Sequence, residues 1–417
     1  MTQTTAGWRK PARPAVEAPV PTREQRVARG RAARMEVPRE SHAEFARPSS
    51  RPDSLSLLES QSAARVPELL PVRYGRMAVS PFTYFRAAAL PMASDLADSP
   101  RTGLVVQACG DAHLPNFGLF ASPERRLVFD INDFDETLPG PWEWDVKRLA
   151  TSLEIAGRDN EFSAKQRREI AVAALAAYRR AMRSFAVTTA LQVWYPIPDA
   201  AAVKAWFDTD LDKTHRKRLT RALDKARTKD NLGALSRYAG IVDGRPRIVA
   251  DPPLIVPLDE LVGEASQLGD VEQALRELLR SYRSSLEPER RALLDQYRLV
   301  DFALKVVGVG SMGTRSYIAL LLSDDVRDPL FLQAKEAGPS GWKGSAEIGV
   351  MVPQGMRACG ELCGWTLARA HARTGDRVGI ASYLGSGSAF DRAVGEFARS
   401  YADQNERDHR ALVDAIG

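Results

Sequence analysis

GDAHLPNFGLFASPERRLVFDINDFDE, residues 110–136, is the stretch on which the reading of this chain turns. The apolar run LVVQAC (104–109) leads into it and predicts a short strand ending at Gly110-Asp111. RLVFDIND (126–133) predicts a second strand that ends in acidic residues, and HLPNFGLFASPE between the two reads as a loop. Asp111 and Asn116, five positions apart on one loop, suit convergence on a metal-bound phosphate: an aspartate accepts a hydroxyl proton and an asparagine carbonyl oxygen ligates magnesium. The competing reading of the same residues is an Asx-type turn whose side chains satisfy backbone amides. Four acids within Asp130–Glu136 crowd negative charge, which a cation offsets at low cost; an exposed acidic turn is the plainer alternative.

Working outward, a helix is predicted from Trp142 through VKRLATSLEIAG, then helices over 163–187 and about 200–228. GIVDGRPRIVADPPLIVPL (240–258) predicts a hairpin with an Asp-Gly turn, followed by a helix over roughly 271–294. Residues 302–337 predict three strands, with the Gly-rich turn Gly308-Val309-Gly310-Ser311-Met312-Gly313 after the first and Lys335 on the third. A lone G-x-G-x-x-G is a weak signal. A dinucleotide fold needs a long helix directly after it, whereas TRSYIALLL is short and strand-like. A kinase-type loop lies between two strands, with an ion-pairing lysine on a following strand. Helices over 356–373 and 389–414 close the chain, and Pro81–Asp98 predicts a helix broken near Pro91.

The composition is that of an ordinary globular protein, 44% apolar and 27% charged. No apolar run approaches the ~18 residues of a spanning helix, and MTQTTAGWRKPARP lacks the apolar core of a secretory signal. Three cysteines make no disulfide framework, so a cytoplasmic setting is expected. The net charge of +5 resides in residues 1–50, which carry ten basic and five acidic side chains and six prolines; this stretch reads as a flexible basic arm. The basic run Lys213–Lys229 contains no aromatic residue and reads as a solvated helix face, so nucleic acid is not expected as a partner. Cys359 and Cys363 read as core, His371 as part of a buried network, and Arg86 as either a helix-face residue or a partner for carboxylate or phosphate.

The spacing strand–GDxHxxN–strand–DFD, with PWEWDVKRLA behind it, resembles the catalytic half of protein-kinase-like enzymes, above all aminoglycoside phosphotransferases and choline kinases. The resemblance implies that Asp145 ties the catalytic loop down from a helix. Over VPELLPVRYGRMAVSPFTYFRAAALPMASDLA, residues 110–152, VVGVGSMGTRSY, LFLQAKEA, LARAHARTGD and FARSYADQNERDH, the chain resembles the bacterial family called domain of unknown function 2252. It departs from that family after the lysine strand, where PQGMRA (353–358) runs directly into CGELCGWTLARAHA and relatives carry a longer segment. That segment would supply the glutamate partner of the lysine, for which Glu347 and Glu361 are the substitutes in view.

The resemblance implies an α+β, kinase-like two-lobe fold with the small β lobe permuted to a late position. The divisions are a 1–50 arm, a 51–300 helical large lobe, a 301–350 small lobe and 351–417 C-terminal helices on the large lobe. It implies an ATP- and Mg²⁺-dependent phosphotransferase acting on an unidentified acceptor. Asp111 would be catalytic, Asn116, Asp133 and Asp135 the metal ligands, and Gly308, Gly310, Gly313 and Lys335 the nucleotide contacts. The alternatives are a nucleotide-binding pseudokinase or regulatory module and an AMP-transferring enzyme.

Overall fold

The computed structural model describes residues 20–45, 50–63, 65–122, 124, 126–208, 211–227, 231–242, 244–252, 254–261, 265–305, 316–324, 328–335, 349 and 351–417. The first part of the chain runs α1 (Arg23–Glu36), α2 (Ser54–Ser62), α3 (Leu70–Met77), α4 (Pro81–Ala87), α5 (Ala89–Ala97), β1 (Val105–Ala108), β2 (Phe117–Ala121), β3 (Leu127–Ile131) and β4 (Leu138–Pro141). Next come α6 (Trp142–Asp159), α7 (Ala164–Phe185), α8 (Ala190–Trp194), α9 (Ala200–Asp208), α10 (Lys213–Arg227) and α11 (Asn231–Tyr238). A strand-rich middle follows with β5 (Ala239–Val242), β6 (Arg245–Ile248), β7 (Ile255–Pro257), α12 (Ala265–Ser285), α13 (Pro288–Leu294), β8 (Arg298–Lys305), β9 (Ser316–Leu322) and β10 (Pro329–Lys335). Helices α14 (Pro353–Thr374), α15 (Arg377–Leu384) and α16 (Ala389–Ile416) end it. The fold is mixed α+β with a helical majority, as the resemblance implied at that coarse level. Among the described residues no helix is long and apolar enough to cross a membrane.

The helical body forms around α6, which is buried on nearly every side and packs on α7, α14 and α16. Trp142 at its start is fully buried and stacks on Tyr178 of α7, centroids 5.7 Å apart. Helices α7 and α14 meet at Gly364, where a Cβ would lie 2.2 Å from the Ala174 carbonyl oxygen; only hydrogen fits that approach. At the other end of α14, Gly355 sits against Leu211, its Cβ position 3.7 Å from Leu211 Cδ2. The chain therefore leaves the helical body just after α9 and re-enters it beside the point of departure.

The middle of the chain forms the four-stranded antiparallel sheet β10-β9-β8-β7. Its strands bury apolar side chains on both faces. Leu258, Phe302, Ala319 and Leu321 pack under α12 and α13, and Ile255, Ala303, Ile318 and Leu320 pack against the β5-β6 hairpin and α11. The sheet is larger than the three strands expected over 302–337. It starts at β7, and α12 and α13 cover one face, so the strand-bearing part begins well before residue 301.

Several elements differ from the sequence reading. Residues 20–45, expected within a flexible arm, are helical: α1 opens with a capping box at Thr22, buries Gly30 and Ala33, and packs on α15. Arg34 and Arg39 donate to carbonyl oxygens at the end of α15, satisfying acceptors that the helix leaves unpaired. The break expected near Pro91 falls at Ala88, because a proline in the first turn of α5 costs no hydrogen bond. The helix expected over 271–294 is two helices, the second starting on Pro288. The stretch expected over 200–228 divides into α9 and α10, with Asp212 receiving the Thr214 and His215 amides at the second start. The predicted hairpin over 240–248 is present as β5-β6, with Gly244 at φ +72 in its turn.

Candidate functional site

β1 carries the chain to Cys109 and Gly110, and Asp145 on α6 fixes that corner. Its carboxylate accepts the Cys109 amide at 2.7 Å and the Gly110 amide at 3.1 Å. His371 of α14 donates from Nε2 to the same carboxylate at 3.1 Å, which leaves Nδ1 to accept from the Tyr178 hydroxyl at 2.9 Å. All three side chains are buried. Gly110 has φ +80, and a Cβ there would lie 2.2 Å from the Glu136 carbonyl oxygen, so the corner needs glycine twice over. Downstream, Leu114–Asn116 turn as a 3-10 helix pinned by the Leu114 amide donating to Ser152 Oγ at 2.7 Å.

Asp111 is buried at the centre of this loop. Arg148, one helical turn beyond Asp145 on α6, donates from Nε to Asp111 Oδ1 at 2.5 Å, and His113 Nε2 lies 3.5 Å from Oδ2. Arg148 is itself held by the Phe85 carbonyl at 2.8 Å and by the Phe85 ring, 4.2 Å from its guanidinium carbon. Asp145 and Arg148 share one face of α6, and the motif DVKR (145–148) carries that i, i+3 signal; the sequence reading used Asp145 and missed Arg148.

HLPNFGLFASPE is not a loop throughout: β2 occupies its second half and pairs with β3, Phe117 opposite Ile131 and Ala121 opposite Leu127. The pairing extends one step further, with the Asn132 amide donating to the Asn116 carbonyl at 2.9 Å. Asn116 and Asp133 therefore emerge at the same end of one hairpin. Asn116 Nδ2 donates to the Asp111 carbonyl at 2.6 Å, while its Oδ1 is buried with no hydrogen-bond partner among the described residues. An unpaired buried carbonyl oxygen is costly, and either a hydrogen-bond donor or a cation would satisfy it. Asp133 is also buried, and its Oδ1 accepts the Asp135 amide at 3.2 Å.

Asp135 is more exposed and faces Lys335 at the end of β10, Oδ2 to Nζ 3.9 Å. That contact joins the acidic motif to the sheet. Asp130 is drawn away from the cluster, because Arg369 of α14 pairs with it and also donates to the Pro196 carbonyl. Among the described residues no three His, Cys, Asp or Glu gather as a metal cage. The Asn116–Asp133 pair suits a different arrangement, in which magnesium takes one or two protein oxygens and completes its shell with substrate oxygens and water.

Gly308, Gly310 and Gly313 lie outside the described residues, as does Glu347. The strands on either side of the glycines are described: Lys305 ends β8, Ser316 opens β9, and Ser316 pairs with Lys335. Lys305, unremarked in the sequence reading, lies 4.3 Å from the Tyr238 ring centroid. Glu361 is not brought to Lys335; it pairs with Arg357 at 3.3 Å. Arg373 donates to the Trp194 carbonyl, and Asp376 caps α15, so both serve structure. Cys359 and Cys363 are buried core residues, and His371 belongs to the buried network expected for it.

Residues 65–347 and 340–415 match the profile of a family described as an uncharacterised protein conserved in bacteria, domain of unknown function 2252, and the chain belongs to that family. The two matched stretches overlap at residues 340–347. No curated protein and no solved structure gives a match to the chain.

Proposed function

We propose that this chain is an ATP- and Mg²⁺-dependent phosphotransferase of kinase-like, two-lobe design, acting on a small-molecule or protein acceptor. The observation that carries the reading is the buried, unpartnered Oδ1 of Asn116 beside the buried carboxylate of Asp133, on the hairpin that follows the Asp111 loop. Asn116 and Asp133, with Asp135 next to them, would hold magnesium, which when bound offsets phosphate charge. Lys335 would exchange its long contact with Asp135 for a phosphate oxygen, and the glycines at 308, 310 and 313 would cover the phosphates with backbone amides.

Asp111 is the orienting acceptor. Arg148 holds Oδ1, and we assign Oδ2 to the acceptor hydroxyl. As the acceptor oxygen bonds to the γ-phosphorus and the bond to the ADP oxygen breaks, the hydroxyl proton passes to Asp111. Rate enhancement rests on placement, which the clamp of Asp145 on Cys109 and Gly110 supports. The test is a thermal-shift titration with ATP and Mg²⁺ on wild type and Asp133→Ala. Stabilisation that needs both the metal and Asp133 supports the reading, and the absence of any shift at millimolar ATP rejects it. Label transferred from the α- rather than the γ-phosphate of ATP replaces it with AMP transfer. Binding without either transfer replaces it with a pseudokinase.

A further inference from the structure

Arg86, near the end of α4, is a half-buried guanidinium in an apolar segment. Its Nε is buried without a hydrogen-bond partner, and no ion pair holds the side chain among the described residues. The charge that acts on it most clearly is Asp111, which works against the loss of guanidinium basicity that burial causes. Asp111, however, is already neutralised at 2.5 Å by Arg148. Asp111 is thus paired directly with Arg148, whereas Arg86 has no ion pair of its own among the described residues. A half-buried guanidinium with its Nε unpaired is better satisfied when an anion completes it.

A second arginine reaches the backbone at the end of the same helix. Arg73 on α3 is fully buried and donates from Nη2 to the carbonyl of Ala87, the residue after Arg86, at 3.2 Å. Its remaining bond, to Gln61 Oε1, is long at 3.3 Å, while Nε and Nη1 have no partner. Burial lowers its pKa to about 10. Neither α3 nor α4 carries a residue assigned to magnesium or nucleotide. Arg86, which Asp111 influences, therefore stands on an element separate from the metal and lysine groups.

We propose that Arg86 binds an anionic group on the acceptor, so that the acceptor is a hydroxyl compound carrying a phosphate or a carboxylate. This rests on the phosphotransferase reading for the identity of the ligand as an acceptor. The presence of an anion pocket at Arg86 does not depend on that reading. Planar guanidinium donors suit both headgroups through paired hydrogen bonds.

The test uses the full chain without nucleotide or magnesium, at constant ionic strength. Inorganic phosphate, glycerol 3-phosphate and malate are titrated in turn, with melting temperature and calorimetric heat as readouts. We expect saturable stabilisation by at least one of the three, weakened about tenfold or more in Arg86→Gln, the loss of one charge-assisted hydrogen bond. Arg86→Lys should restore part of the affinity, and Asp133→Ala should leave it unchanged. A response to malate alone assigns a carboxylate, and a response to the phosphates alone assigns a phosphate. Equal responses in wild type and Arg86→Gln, or no saturable response, overturn the proposal. If anion binding depends on Arg86 while ATP and Mg²⁺ produce no shift, the phosphotransferase reading fails and the anion pocket stands.

Discussion

Replacing Asp145 by asparagine tests the carboxylate that holds the Cys109–Gly110 corner. The wild-type group accepts two backbone amides and His371 within 3.1 Å, in a fully buried setting. Asparagine offers one acceptor oxygen, so either the Cys109 or the Gly110 amide loses its partner, at about 1–3 kcal/mol. The surviving amide bond loses its charge assistance, roughly half its strength. His371 escapes the penalty: its other tautomer accepts from the asparagine amide at Nε2 and donates from Nδ1 to Tyr178. The sum is about 3 kcal/mol, toward the low end of the range for breaking a buried charged interaction. Urea denaturation followed by tryptophan fluorescence measures it, and hydrogen exchange should show the Cys109 and Gly110 amides opening faster. Asp133→Ala, which removes the acceptor of the Asp135 amide at 3.2 Å, should cost less than Asp145→Asn. A loss below about 1 kcal/mol in Asp145→Asn, or unchanged exchange at those two amides, would refute the clamp.

Gly110→Ala forces a side chain into a left-handed corner and onto the Glu136 carbonyl, and should lower stability by at least about 2 kcal/mol in the same denaturation assay. Lys335→Ala, which removes the long ion pair with Asp135, should abolish the melting-temperature response to ATP and Mg²⁺. Lys147 on α6 is buried over the Phe397 ring, and burial brings its pKa down to about 8 from 10.5. The native state therefore releases this proton before the unfolded state does, and stability should rise between about pH 8 and 10.5 by at most about 3 kcal/mol relative to Lys147→Met. His42, brought to about 3 by burial, stays neutral where the unfolded chain protonates. Stability should fall below pH 6.5 by up to about 1.4 kcal/mol per pH unit, a slope that His42→Phe removes.

What the sequence carried and what it did not follows from how local each signal is. β1, β3 and α6 are continuous apolar or amphipathic runs, and the residues that punctuate them, Gly110, Asp111, Asp133 and Asp145, stand where the reading placed them. β2 was missed because NFGLFA is short and contains glycine; it is a strand by virtue of its pairing with β3. β7 is three residues ending in proline and has no periodicity of its own. Arg148 and Arg369 belong to helices recognised from their patterns, but the acids they pair with, Asp111 and Asp130, are 37 and 239 positions away. No local rule reaches that far. Arg34 in the last turn of α1 and Arg39 just beyond it show the converse: the arginines raised the apparent disorder of the segment, yet these two work as caps for α15.

The neighbouring positions of Leu211 and Gly355 bear on how this chain tolerates change. Everything between them starts and finishes at nearly one point on the helical frame, like a bead on a closed loop of thread. The frame is completed by contacts between α14 and α7 and between α16 and α6, which do not depend on the length of the excursion. Lengthening or trimming such an excursion changes its closure entropy only logarithmically. Changes in the length of this excursion should therefore leave the Asp111 loop and its Asp145 clamp undisturbed.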